Sequence, residues 1–311
     1  MSPVLTKKAM EVRLKKILFF LLKLSISACL LYFALSRAGV EKVFSLLRGI
    51  NPIMFLSGVL IYIVVLMIAA LRWRILLIEP LPIGKVFSLY FIGAFFNTLL
   101  PGIVGGDVMK IYYLYKETGK GTQTFASIFM DRYIGFACLI AMGLIALPFG
   151  LTAFRGSWVV WLLPLMAICF VLVSIIVFGL RLGRRFKLLS DFYGYFHSYI
   201  RNKTLIAKAI LISVVFQILI IIGIYILSEG LGQDIRVSTF FIAIPIIASL
   251  ASLPISIAGI GVREASAVLL LGAVGVKPDV ATAISFAWFL IMAVAGLVGL
   301  LEYMRYKVSA S

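Results

Sequence analysis

The stretch Asn97 to Lys110, N-T-L-L-P-G-I-V-G-G-D-V-M-K, sets Pro101, Gly102, Gly105, Gly106, Asp107 and Lys110 between two apolar runs. A plain membrane span does not read this way. Proline removes a backbone donor and clashes with the carbonyl four residues back, while glycine allows tight turns and close backbone approach, so the stretch predicts a helix broken inside the bilayer. At that depth broken backbone survives only against protein or a water-lined cavity. A helix restarting there aims its free N–H groups and positive dipole end into that space, and an anion-seeking site is expected. The device occurs a second time at Leu253 to Glu264, L-P-I-S-I-A-G-I-G-V-R-E. Counted from each proline, Gly106 and Gly259 fall five positions on, and Lys110 and Arg263 nine.

Composition agrees with a membrane setting. Over 311 residues the chain is 63% apolar and 13% charged, with a mean hydropathy of +1.15, which excludes a soluble domain with an ordinary polar surface. The fold class expected is an all-α polytopic membrane protein. The 29 basic residues against 12 acidic ones would suggest nucleic acid in a soluble protein; here they are read first as a topology signal, and no nucleic-acid partner is expected. Cys29, Cys138 and Cys169 all lie in apolar runs and fit no secreted disulfide framework, so they are read as inert packing residues. The run from Ile17 to Leu35 is too long, and Ser36-Arg37-Ala38-Gly39 too poor a cleavage site, for a signal peptide. It is taken as a retained first span.

Six runs can cross about 30 Å of hydrocarbon at a helical rise of about 1.5 Å per residue: Ile17 to Leu35, Ile53 to Ile78, Thr122 to Leu147, Trp158 to Leu180, Leu205 to Ser228 and Asp279 to Tyr303. Val86 to Tyr115 and Thr239 to Gly272 are each cut near the middle, leaving arms of about 22 Å if helical. Each reads as a re-entrant hairpin; the alternative is eight or more kinked full spans. With hairpins and a cytoplasmic N-terminus, 19 basic residues, Arg72 and Arg74 among them, fall on the cytoplasmic side and 6 on the outer side, which favours the hairpins. The divisions expected are a basic cytoplasmic N-terminus over 1–16, membrane repeats over 17–148 and 158–303, an outer loop over 149–157, and a cytoplasmic tail over 304–311. The loop 181–204 is basic and aromatic and is expected to lie on the anionic inner leaflet, with His197, the one histidine, an interfacial side chain. Span, span, hairpin, span then occurs twice with opposite orientation, the inverted repeat of many secondary transporters.

Ionised side chains at the centre of a membrane helix cost about 2.5–3.5 kcal/mol on insertion scales, so they face the bundle interior and are candidates for function. They are Asp107, Lys110, Asp131, Arg132, Arg263 and Glu264, with Lys23 an outlier able to snorkel. Asp107 and Lys110 share one helix face. Two readings stay open: the acids simply neutralise the bases, or Lys110 and Arg263, beside two helix N-termini, hold a phosphate or carboxylate.

N-x-x-x-P-G-x-x-G-G-D-x-x-K, the later Asp131-Arg132 pair and L-P-x-x-x-x-G-x-G-x-R-E together resemble the flippase-like membrane region of lysylphosphatidylglycerol synthetases, a family with stand-alone members of about this length. The resemblance covers nearly the whole chain and implies movement of a lipid between leaflets. The chain ends at Ser311 just after its last span, so neither the aminoacylating activity of the synthetases nor their particular lipid is implied. By resemblance, Asn97, Pro101, Gly102, Gly105, Gly106, Asp107, Lys110, Asp131, Arg132, Gly259, Gly261, Arg263 and Glu264 carry the role.

The expectation is therefore an ATP-independent translocase of a phospholipid or polyprenyl-phosphate-type lipid in the plasma (inner) membrane, with both termini cytoplasmic. Its partners would be membrane lipids with an anionic headgroup and, for coupling, a proton or sodium. No P-loop, H-E-x-x-H or G-x-S-x-G motif is present, so neither cofactor nor enzymatic activity is expected. The competing reading is an ion-coupled transporter of a small soluble anion; a scaffold without transport is compatible with the same sequence.

Overall fold

The computed structural model describes residues 3–99, 104–152, 154, 156–179, 187–253 and 255–309. Twelve helices are present among them: α1 (Pro3–Ala38), α2 (Val40–Arg48), α3 (Pro52–Leu76), α4 (Ile83–Leu99), α5 (Val104–Thr118), α6 (Gly121–Gly150), α7 (Val159–Ser174), α8 (Lys187–Arg201), α9 (Lys203–Gly230), α10 (Val237–Ser252), α11 (Val262–Gly272) and α12 (Pro278–Ser309). A π-helical turn, Ile175–Gly179, continues α7. Among the described residues there is no strand.

Among the described residues six helices are long and apolar enough to cross a membrane: Phe20–Ala38, Pro52–Leu76, Gly121–Gly150, Val159–Phe178, Lys203–Gly230 and Pro278–Tyr306. They coincide with the six runs read from sequence. Helix starts follow local chemistry. The Asn51 Oδ1 accepts the N–H of Ile53 at 3.0 Å with Pro52 at the first helical position, and Asn202 caps α9 through Leu205 N–H at 3.1 Å. The first helix begins at Pro3, so the basic N-terminal segment continues into the first span without a break.

The two interrupted regions each give two short helices packed on one another, α4 with α5 and α10 with α11. The break in the first, residues 100–103, lies outside the described residues, and with it Pro101 and Gly102. Gly106 explains how closely α4 and α5 approach: a Cβ there would lie 1.9 Å from the Gly93 carbonyl oxygen. Packing is reciprocal between the halves. Helix α4 packs on α12 and α10 on α6; α1 packs on α12 and α7 on α6; α3 and α9 pack on each other. Apolar surface contributes little to helix association in lipid, so close backbone contact and buried polar pairs carry more of the specificity.

Two expectations need correction. Cys138 is buried, but Cys29 and Cys169 are exposed on the bundle exterior. Arg72, counted above with the cytoplasmic basic residues, is 3% exposed: it lies on the same stripe of α3 as the buried Val65, Ala69 and Leu76, while Arg74 faces out. The loop after α7 contains α8, whose Phe192, Phe196 and Tyr199 are buried and whose His197 is exposed. Tyr199 donates to the Leu76 carbonyl at 2.6 Å, and Tyr193 to the Val177 carbonyl in the π-helical turn at 2.7 Å.

Candidate functional site

The first interrupted region gathers five charges. On α5, Asp107 accepts the Arg132 Nε at 2.9 Å and Nη2 at 3.0 Å, a two-point pair to α6, and takes a third contact from Lys110 Nζ at 3.3 Å. Arg132 is followed back along α6 by Asp131, which faces the other way and binds the Arg72 Nε of α3 at 2.7 Å. Arg72 also donates to Ser213 Oγ of α9 at 2.9 Å, and its guanidinium lies 5.3 Å from the Phe216 ring centroid. Three cations thus stand against two carboxylates, and in their ionised forms the cluster keeps a positive charge. Lys110 is 3% exposed and its ammonium rests 3.7 Å from the Tyr90 ring centroid and 5.5 Å from that of Trp73. The Arg132 side chain is 41% exposed.

That exposure opens onto a cavity of about 650 Å³. Arg72, Asp107, Arg132, Gln217 and Ser252 supply its polar wall, and Phe129, Tyr133, Phe136, Phe170, Phe178 and Phe216 its aromatic wall. Val173 of α7 also lines it and is 58% exposed, so the cavity reaches the apolar exterior of the bundle. A guanidinium pair beside an aromatic chamber that opens sideways can hold an anionic group and the start of a hydrocarbon chain together.

The second interrupted region is closed on itself. Glu264, 0% exposed, accepts the Gly261 N–H at 2.7 Å, Arg263 Nη2 at 2.9 Å and the Ser285 hydroxyl of α12 at 2.9 Å. Glu264, three residues into α11, thus reaches back to the N–H of the residue that precedes the helix, the one half of a capping box open to a chain whose N-cap is glycine. Gly261 has φ +85°, and a Cβ on it would lie 2.4 Å from the Ser27 carbonyl oxygen of α1. The Ser27 hydroxyl accepts the Ile257 N–H at 2.9 Å, tying the break to the first span.

The structure therefore brings Asn97, Gly105, Gly106, Asp107, Lys110, Asp131 and Arg132 into one region, and Gly259, Gly261, Arg263 and Glu264 into another. Among the described residues no hydrogen bond or ion pair joins the two. Lys110 and Arg263 are each held by a carboxylate of their own half, and neither lines the cavity. The free N–H groups expected at the breaks are also partly spoken for, since Gly106 N–H donates to Asn97 Oδ1 at 2.8 Å and Gly261 N–H to Glu264. Arg72, Ser213, Gln217 and Ser285 were not singled out by the sequence. Arg72 lies three residues after Ala69 and four before Leu76, a phase that only the packed structure picks out as the inner one.

Fold and site together define a multi-pass helical membrane protein with a cation-lined cavity inside its bundle. The chain belongs to the family described as the lysylphosphatidylglycerol synthase TM region, whose model matches residues 20–299. It is 27% identical over 145 residues to a UPF0104 membrane protein of Pyrococcus horikoshii, covering 45% of this chain and 42% of that protein. It is 24% identical over 283 residues to a UPF0104 membrane protein of Methanothermobacter thermautotrophicus, covering 79% of this chain and 82% of that one. The first match thus spans less than half of its relative.

Proposed function

We propose that this protein moves an anionic membrane lipid between leaflets, a phospholipid or a polyprenyl-phosphate-type lipid, without ATP and without covalent chemistry on the lipid. The observation that carries the reading is the single cavity in which Arg72 and Arg132 stand beside an aromatic wall that opens at α7. Headgroup charge goes to the guanidiniums and the chain to the rings and the bilayer. The family's name supports a lipid-related role. An apolar chamber opening sideways favours this over a soluble anion, for which an aqueous vestibule would serve.

Reciprocal packing of the two halves supports an inverted repeat, in which α4–α5 and α10–α11 enter the plasma membrane from opposite faces and the termini are cytoplasmic. In a cysteine-free background, impermeant thiol reagent on intact cells should label cysteines at Glu41 and Lys277 but not at Thr118 and Lys203. Labelling at Thr118 from outside would remove the first hairpin. For transport, the purified protein in liposomes should accelerate exchange of a fluorescent anionic phospholipid, and Arg132→Gln should abolish it with insertion intact. Competition by dioctanoyl phosphatidic acid but not by inorganic phosphate supports the lipid; the reverse supports a small soluble anion. A proton or sodium gradient imposed across the same liposomes should bias the exchange if movement is coupled.

A further inference from the structure

We propose that Lys110 is a reserve counter-cation: when an anionic headgroup draws Arg132 away from Asp107, Lys110 takes over the carboxylate, so that binding strands no buried charge. The inference rests on the reading of the cavity as an anion site.

Asp107 has two cationic partners that differ in every respect relevant to exchange. Arg132 holds it by two contacts at 2.9 and 3.0 Å, comes from a different helix, lines the cavity and is 41% exposed. Lys110 holds it by one longer contact at 3.3 Å, comes from the same helix three residues on, does not line the cavity and is 3% exposed. An anion in the cavity meets Arg132 already paired and has to compete with Asp107 for it. Losing that competition would leave a carboxylate in a water-poor site, the costly outcome for any buried pair.

Lys110 removes that obstacle. Among the described residues its only hydrogen-bond acceptor is Asp107, and its remaining neighbours include the faces of Tyr90 and Trp73. An ammonium has three donors, so this one has capacity to spare. Because Asp107 and Lys110 sit on one turn of α5, a shift of a few tenths of an ångström in the side chains completes their pair without moving a helix. The neighbouring pair has no such provision. Asp131 has Arg72 as its only salt-bridge partner among the described residues, and Arg72 is further fixed by Ser213. Arg72 is the static member of the site and Arg132 the exchanging one.

The test is calorimetric titration of dioctanoyl phosphatidic acid, and separately of inorganic phosphate, into the full-length protein in detergent, with thermal unfolding of the ligand-free forms alongside. Lys110→Gln should melt close to wild type without ligand, because Arg132 still holds Asp107, yet bind the lipid on the order of tenfold more weakly. The double variant Asp107→Asn with Lys110→Gln should recover wild-type binding, since no carboxylate is then left to strand. The same pattern with inorganic phosphate alone supports the exchange and moves the ligand to a soluble anion. A double variant as weak as the single one means that Lys110 touches the anion itself, and overturns the proposal. So does a Lys110→Gln protein that fails to fold or melts far below wild type without ligand. Undiminished binding by Lys110→Gln overturns the exchange alone, whereas a wild-type protein that binds neither probe overturns the anion-site reading beneath it.

Discussion

The two interrupted regions share a sequence device and have come to differ in what their charges face. In the first, a carboxylate on α5 is shared between a cation on its own helix and one on α6, and the latter is exposed to a cavity. In the second, Glu264 and Arg263 are neighbours in sequence, satisfied by Gly261 N–H and Ser285, with side-chain exposures of 0% and 11%. One acid–base pair spans helices and borders the cavity; the other closes a helix start against α1 and α12. A duplicated motif therefore does not imply a duplicated site: the partners outside the motif decide whether a buried cation is available or committed.

The largest expected effect comes from breaking the committed pair. Glu264→Ala removes the acceptor of a buried guanidinium, a backbone N–H and a hydroxyl at once, and should cost about 3–5 kcal/mol, the range for a stranded buried charge. Arg132→Ala should cost only about 1 kcal/mol, because Asp107 keeps Lys110 and loses hydrogen bonds from one partner. Thermal unfolding of the two variants in one detergent measures the difference, and equal losses would erase the distinction between the halves.

The glycines at the two breaks come next. Gly106→Ala puts a methyl onto the Gly93 carbonyl and should cost about 1–3 kcal/mol through overpacking. Gly261→Ala meets the Ser27 carbonyl and in addition holds a left-handed φ, which adds about 1–2 kcal/mol. The order of unfolding temperatures, Gly261→Ala below Gly106→Ala, follows. A reversed order would mean that the α4–α5 contact, and not the tie to α1, is the tighter constraint.

The six spans were readable because each is a long apolar run, and the breaks because Pro and Gly stand out in one. The charges inside the apolar segments, Asp107, Lys110, Asp131, Arg132, Arg263 and Glu264, were readable for the same reason. What could not be read is who meets whom. Helix α3 is apolar around its whole circumference, so nothing in its sequence marks the stripe through Val65, Ala69, Arg72 and Leu76 as the inner one, and Arg72 passed for a flanking cytoplasmic charge. The same loss of phase hid the outward position of Cys29 and Cys169. The cavity is assembled from several helices and depends on packing between the halves, which a local pattern does not encode.

The smallest expected effect is also the most selective, and it falls on two serines with matching duties. Ser213 accepts from Arg72 Nη1 and donates to the Ala209 carbonyl at 2.8 Å; Ser285 accepts from Arg263 Nε at 3.2 Å and donates to Glu264. Replacement by alanine should cost about 1 kcal/mol at either position, the worth of one hydrogen bond. At Ser285 the remaining partners are already paired with one another: Arg263 Nε keeps Glu264 at 3.1 Å, and Glu264 keeps the Gly261 N–H. At Ser213 the loss frees one end of a guanidinium on the cavity wall, which must then be ordered again when an anion binds. That ordering should weaken binding of dioctanoyl phosphatidic acid by about twofold to tenfold. Titration of both alanine variants should therefore show matched stability and unmatched affinity, with only Ser213→Ala impaired. Impairment of Ser285→Ala instead would move the ligand site to the second half of the chain.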